Sequence, residues 1–304
     1  MKRKLRSTIV SIGIVLGILI TWGVVEPYFI TIKTEKAPVK NLPPSWNGEK
    51  IAVVGDFQVG MWMDNTSTIK RIADKILEIK PSVVLLLGDY VYHPTGNVKN
   101  KITQFTNTLQ PLLNGNIPTF AVLGNHDYAM DTYDDSPNKK IAKKVKKVLD
   151  NQGIQVLTNK ALALNKTKKG VAVGKDNSNS LFLVGIGAAW PDHADPEKVF
   201  NQIDKSNPRI VMMHNPEVFK DINPDTSSFA VAGHTHGSQI RIPFISKWFY
   251  TNILDKEQVH YAGWIDDYGK KGNNLYVNPG VGFSNIPIRI NCPPEITVFT
   301  LSNA

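Results

Sequence analysis

The chain has 304 residues, of which 42% are hydrophobic and 20% charged, proportions of globular material with room for one large domain or two small ones. A single cysteine, Cys292, excludes an intrachain disulfide framework and gives no support to a thiol-based site. The formal charge of +9 leaves three readings open: a nucleic-acid partner, an anionic membrane surface, or a solvated lysine-rich exterior.

Lys2, Arg3, Lys4 and Arg6 precede Ile9 to Ile30, a run that is almost entirely apolar and uncharged until Glu26. At about 1.5 Å per residue, roughly twenty such residues cross a hydrocarbon core of about 30 Å. A cleaved signal peptide shares the basic start and the apolar run. This run is long for that role, however, and Trp22-Gly23-Val24-Val25-Glu26-Pro27 offers no small-x-small cleavage site. Residues 1–30 are therefore read as a retained anchor. Basic flanks stay in the cytoplasm, which puts the N-terminus there and the rest of the chain on the other side of the cell membrane. Residues 31–49 carry prolines and lysines without periodicity and read as a linker, so that the folded domain spans 50–304.

Beyond Lys50 the chain alternates strand-like and helix-like segments. Ile51 to Val54 is apolar, Thr66 to Ile79 amphipathic, Val83 to Leu87 apolar, Val98 to Leu113 helical and Thr119 to Leu123 apolar. In Lys139 to Asp150, Ile141, Val145 and Val148 recur at helical spacing and lysines fill the other faces, which reads as a solvated helix surface. Leu162 to Val173 and Leu181 to Gly187 flank a turn-rich segment, as in a hairpin. Ile210 to Met213, Phe229 to Ala232, Leu275 to Asn278 and Glu295 to Leu301 are further strands. The pattern predicts a layered α/β (α+β) fold of sheets flanked by helices.

Five apolar runs end in oxygen and nitrogen ligands: Gly55-Asp56-Phe57-Gln58, Gly88-Asp89-Tyr90, Gly124-Asn125-His126-Asp127, Met213-His214-Asn215 and Gly233-His234-Thr235-His236. Strand ends can converge on one cleft at a sheet edge, and the glycines let the backbone turn tightly there. Each fragment is weak evidence alone, but their joint occurrence points to a metal site assembled from strand ends.

These segments resemble, in order, the motifs of the calcineurin-like metallophosphoesterase superfamily. The context Gly233-His234-Thr235-His236-Gly237-Ser238-Gln239, with Pro287-Ile288-Arg289 and Cys292-Pro293-Pro294-Glu295-Ile296, is similar to its bacterial membrane-associated, YaeI/YkuE-like phosphodiesterase branch. The resemblance implies a four-layer α-β-β-α sandwich holding two divalent metal ions. Asp89 would bridge them. Asp56, Gln58 and His236 would complete the first site, and Asn125, His214 and His234 the second. Mixed oxygen and imidazole donors suit Mn²⁺, Fe, Zn²⁺ or Mg²⁺ more than Ca²⁺. A bridging water of lowered pKa would be the nucleophile. His126 would be the general acid, with Asp127 orienting its imidazole; the alternative for Asp127 is a turn-capping aspartate.

One departure stands out. Gln58 replaces the histidine of the family pattern, and its harder amide oxygen should favour Mn²⁺ or Mg²⁺ over Zn²⁺ at the first site. The segment Gly88-Asp89-Tyr90-Val91-Tyr92 also lacks a second aspartate often found there. His93 is a candidate for contact with a substrate phosphate, while His193 and His260 read as loop residues. Asn278 and Arg289 could bind substrate or serve at a sheet edge and in surface pairing.

The functional expectation is a membrane-anchored phosphoesterase acting on a diester or pyrophosphate bond. Its position suggests an envelope or lipid-linked substrate, and Ile240 to Tyr250, with Ile242, Phe244, Ile245, Trp248, Phe249 and Tyr250, could form an apolar flap over it. The alternative is a weakly active or non-catalytic metal-binding envelope domain, which Gln58 would favour. A nuclease would need an interleaved basic and aromatic strip that the chain lacks, so no specific nucleic-acid partner is expected.

Overall fold

Alternate residues of the central strands face different cores, and that alternation generates the layers. The computed structural model describes residues 2–61, 65–94, 98–242, 245–246, 261–265 and 268–304. Among these, one sheet joins, in spatial order, β1 (Thr31–Val39), β13 (Glu295–Asn303), β2 (Lys50–Val54), β3 (Val83–Leu86), β4 (Thr119–Ala121) and β5 (Ile154–Val156). The other joins β11 (Gly263–Ile265), β12 (Leu275–Val277), β10 (Ala230–Ala232), β9 (Arg209–Met212), β8 (Leu181–Gly185), β6 (Lys160–Thr167) and β7 (Gly170–Gly174). In β2, Ile51 and Val53 pack with Leu183, Ile210 and Val231 between the sheets. Ala52 and Val54 face outward onto Ile69, Ile72, Ala73 and Ile76 of α2 (Thr66–Ile79). A third core lies outside the second sheet, where Val184, Val211 and Ala230 meet Val199 of α6 (Pro196–Phe200) and Phe219. The result is the four-layer α-β-β-α sandwich.

The outer helices follow their sequence periodicity. In α5 (Lys139–Asn151) Ala142, Val145 and Leu149 are buried at helical spacing, and the Asn138 side chain caps the start by accepting the Ile141 N–H at 3.1 Å. The helix expected over Val98 to Leu113 divides into α3 (Val98–Thr108) and α4 (Gln110–Asn114). Pro111 causes the break, because its ring excludes the carbonyl of Asn107 and it has no N–H to donate.

Two expectations change. Residues 31–39 are strand β1 rather than linker, paired in parallel with β13 from Thr31↔Glu295 to Val39↔Asn303. Only Ala37 and Val39 of this edge strand are buried, so it carries little hydrophobic signal. The expected strand Leu162 to Val173 is itself a hairpin, turning at Lys168-Lys169, and β8 pairs with β6 rather than with β7. At the N-terminus, α1 (Lys2–Val25) belongs to neither sheet, and the stretch Arg6–Tyr28 is long and apolar enough to cross a membrane.

Candidate metal centre

Five strands deliver their C-terminal residues to one edge of the sandwich. Asp56 and Gln58 follow β2, Asp89 follows β3, Asn125 and His126 follow β4, His214 follows β9, and His234 and His236 follow β10. Except for His234, these residues are buried. Asp56, Gln58, Asp89, His234 and His236 all adopt positive φ, from 50 to 74°. Such a conformation costs a non-glycine residue about 1–3 kcal/mol, a strain typical of functional sites. Close approach explains Gly124: a Cβ there would overlap an Asp89 carboxylate oxygen and sit 2.6 Å from His214 Cε1.

Two ligand groups result, and they share one carboxylate. Asp89, His214 and His234 present donor atoms within 4.8 Å of one another, and so do Asp56, Asp89 and His236. Asn125 Oδ1 lies 3.1 Å from both His214 Nε2 and His234 Nδ1, which places it in the first of these groups. Gln58 Nε2 donates to Asp89 Oδ2 at 3.0 Å, which places it in the second. Gln58 Oε1 is buried with no hydrogen-bond partner among the described residues, and His236 Nε2 lies 3.8 Å from Asp56 Oδ1. An orphaned acceptor beside two buried carboxylates is the polar deficit that a cation fills, so the residues fit a divalent pair. His214 Nδ1 donates to the Leu87 carbonyl at 2.7 Å, which leaves Nε2 as the atom that could bind an ion.

The electrostatics agree. Burial raises Asp56 to about 7, with the Asp89 charge adding to it. Burial acts on Asp89 in the same direction, but the charges of His214 and His126 outweigh it and hold Asp89 below the carboxylate range. Burial alone would lower His214, yet Asp89, 3.3 Å from its Nε2, carries it up to about 10. His234 falls to about 3 through burial and the His214 charge. Without a cation, the protonated His214 is the counter-charge of Asp89.

Asp127 has a different role from the one expected. Its Oδ2 accepts the N–H groups of Asp89 and Gly124, both at 2.9 Å, and its Oδ1 accepts that of Tyr90 at 3.0 Å. The carboxylate is thus committed to tying together two turns that carry candidate ligands, not to the His126 imidazole. Burial, then the Asp89 charge, push it up to about 7 despite those three donors. The acid beside His126 is Asp131, whose Oδ1 lies 3.1 Å from Nδ1. Its other oxygen is 2.6 Å from His93 Nδ1, so His93 reaches the site through Asp131.

His126, Asp131, Asp89, Asn125, His234 and His236 line a cavity of about 760 Å³ together with Trp190, whose ring stands edge-on to His234 at 4.8 Å. Asp131 and Trp190 were not among the sequence candidates. Asp131 belongs to an acid-rich loop with Asp134 and Asp135, and nothing in the sequence marks the one that faces inward. Asn278 and Arg289 do not reach this cavity. Asn278 bonds Thr297 and Gly280, and Arg289 is fully buried among backbone carbonyls. His193 bonds the Tyr128 hydroxyl at 2.8 Å, and His260 lies outside the described residues.

Carboxylates, amides and imidazoles around a shared aspartate at strand ends define a metal-dependent phosphoester hydrolase. The profile of the calcineurin-like phosphoesterases matches residues 49–238, and the chain belongs to that family, whose members use a dinuclear divalent metal centre. It is 30% identical to the phosphodiesterase YaeI of Escherichia coli, over 77% of this chain and 76% of YaeI. It is 23% identical to the UDP-2,3-diacylglucosamine pyrophosphatase LpxG of Chlamydia muridarum, over 96% of both chains. It is also 23% identical to the uncharacterized metallophosphoesterase YkuE of Bacillus subtilis, over 91% of this chain and 87% of YkuE.

Proposed function

We propose that the chain is a membrane-anchored phosphoesterase that hydrolyses a phosphodiester or pyrophosphate bond in a lipid-linked or envelope substrate. The observation that carries this reading is the sharing of Asp89 between two buried ligand groups. Asp56, Gln58, Asp89 and His236 would hold one divalent ion, and Asp89, Asn125, His214 and His234 the other. The amide at Gln58 favours Mn²⁺ or Mg²⁺ over Zn²⁺ in the first site. Bound there, a divalent pair polarises phosphoryl oxygens and lowers the pKa of water.

The chain's own residues supply the remaining steps. Asp131 faces His126 Nδ1, leaving Nε2 to hand a proton to the leaving oxygen. Asp127 holds the Asp89 and Gly124 turns in register, and Trp190 packs edge-on against His234. A second cavity of about 630 Å³ runs from His234 and His236 past Ile242, Ile245 and Ile286, whose side chains are exposed, and such a rim suits acyl chains. Of the expected flap, Phe244, Trp248, Phe249 and Tyr250 lie outside the described residues. The pyrophosphatase activity in the name of LpxG, on a diacylated sugar nucleotide, supports the same substrate class. The basic residues in the first turns of α1, Lys2, Arg3, Lys4 and Arg6, favour a cytoplasmic N-terminus with the catalytic domain on the opposite face.

The test uses the full-length protein in detergent, stripped of metal and reconstituted with Mn²⁺, Mg²⁺ or Zn²⁺. Hydrolysis of bis-p-nitrophenyl phosphate should return with two ions per chain and vanish in Asp89→Ala. Binding of no more than one ion at saturation, with no ester cleaved, would instead establish the non-catalytic reading.

A further inference from the structure

The end of α1 is built into the loops that carry half of the metal site. Glu26 directly follows this helix, whose apolar side chains from Ile9 to Trp22 are exposed, yet Glu26 itself is only 2% exposed. Its Oε2 accepts the Asn291 N–H at 2.8 Å and its Oε1 the Cys292 N–H at 2.5 Å. One turn earlier, the Gly23 carbonyl accepts the Arg289 N–H at 2.9 Å. The backbones meet so closely that a Cβ at Gly23 would crowd Ile290 Cγ1 at 3.2 Å and Ile288 Cβ at 3.3 Å.

From there two branches reach the ligands. Along the first, Arg289 donates from Nε to the Gly282 carbonyl at 2.9 Å and from Nη2 to that of Pro279 at 3.1 Å. Gly282 N–H then donates to the Asp56 carbonyl at 2.7 Å, and Val281 N–H to that of Gly55 at 3.1 Å. Along the second, the Cys292 thiol donates to the carbonyls of His236 at 3.5 Å and Gly237 at 3.4 Å. Both branches end on the same ligand group, Asp56 and His236. The other group is reached only one step further on, where the His234 N–H donates to the Asp56 carboxylate at 3.0 Å.

A helix serving only as a tether would need no buried carboxylate at its exit, since burying one is favourable only when it is hydrogen-bonded. We propose that Glu26 is a positioning residue: by clamping the 289–292 segment it sets the backbones of Asp56 and His236, so the N-terminal helix is a working part of one ion site. The proposal rests on the reading of Asp56, Gln58, Asp89 and His236 as that site.

The test compares full-length wild type, Glu26→Gln and Glu26→Ala in detergent, with Ile18→Ala, on the exposed face of α1, as a control. Cys292 is the only cysteine and is buried, so its rate of maleimide labelling, measured on metal-stripped protein, reports opening of the clamp without reference to ion binding. Labelling should accelerate about tenfold in Glu26→Ala, as expected for loss of a charge-assisted hydrogen-bonded pair, and less in Glu26→Gln. Titration with Mn²⁺ should show one of two ions weakened about tenfold and the other weakened less, with Ile18→Ala like wild type. Unchanged labelling and unchanged affinities in Glu26→Ala would overturn the proposal. So would failure of both Glu26 variants to fold by far-ultraviolet circular dichroism, which would make Glu26 a general folding residue. Faster labelling in a protein whose wild type binds fewer than two ions would overturn the two-ion reading and leave the clamp standing.

Discussion

Gln58 is buried with one half of its amide satisfied and the other idle. Its Nε2 donates to Asp89, while Oε1 has no partner among the described residues, and a half-turn of the amide exchanges the two atoms. One side chain can therefore brace Asp89 when the site is empty and offer oxygen when an ion is bound. Replacing it by histidine removes that second state and supplies a softer donor. Gln58→His should tighten Zn²⁺ at one site about tenfold relative to Mn²⁺, as measured by chelator competition; an unchanged ratio would remove Gln58 from the ligand set. The two aspartates near His126 should separate just as cleanly. Asp127→Asn strands at least one buried backbone N–H of the three it serves and should cost about 1–3 kcal/mol in urea unfolding. Asp131→Asn should leave unfolding unchanged and lower kcat about a hundredfold for an alkyl phosphodiester, with less effect on a nitrophenyl ester whose leaving group needs little proton assistance.

At the scale of elements, the most consequential pairing is the one with the weakest sequence signal. Edge strand β1 buries only two of its nine side chains, so its proline and lysines resemble a linker, yet it covers the outer edge of β13 along nine residue pairs. A chain cut at Lys50 would leave β13 as a bare, apolar edge, a template for intermolecular pairing. Such a truncation should elute as aggregates in size-exclusion chromatography and melt below the full-length protein; a monomer of unchanged melting temperature would show β1 to be dispensable. Strands buried on both faces behave differently. Val83 to Leu87 and Ile210 to Met213 are legible because continuous apolar runs leading to Asp89 and His214 have few other uses. The ligand turns were legible for the same reason, since their chemistry sits in consecutive residues. Asp131, Trp190 and Glu26 act through contacts made across 5 to 266 positions of sequence, and no local pattern records such contacts.

For the whole molecule, the proposed ion pair would be the counter-charge of a core assembled from both sheets. Asp56 and Asp89 come from the first sheet, His214, His234 and His236 from the second, so filling the site joins the two layers. Ions that bind only the folded chain should raise its stability by about 2.7 kcal/mol each at a hundredfold excess over the dissociation constant. Chelation should therefore lower the melting temperature, and added Mn²⁺ should restore it. Protons must leave as the ions enter. The ion-free site holds a proton on His214 up to about pH 10 and on Asp56 up to about 7, and both groups ligate only when deprotonated. Metal affinity should consequently rise with pH from 6 towards 10. Near pH 8, where Asp56 is already ionised, binding should release about one proton from His214, and near pH 6 nearly one more from Asp56. Calorimetric titration in two buffers of different ionisation enthalpy measures that release directly; binding that frees no proton at pH 8 would show that His214 does not enter the coordination shell through Nε2.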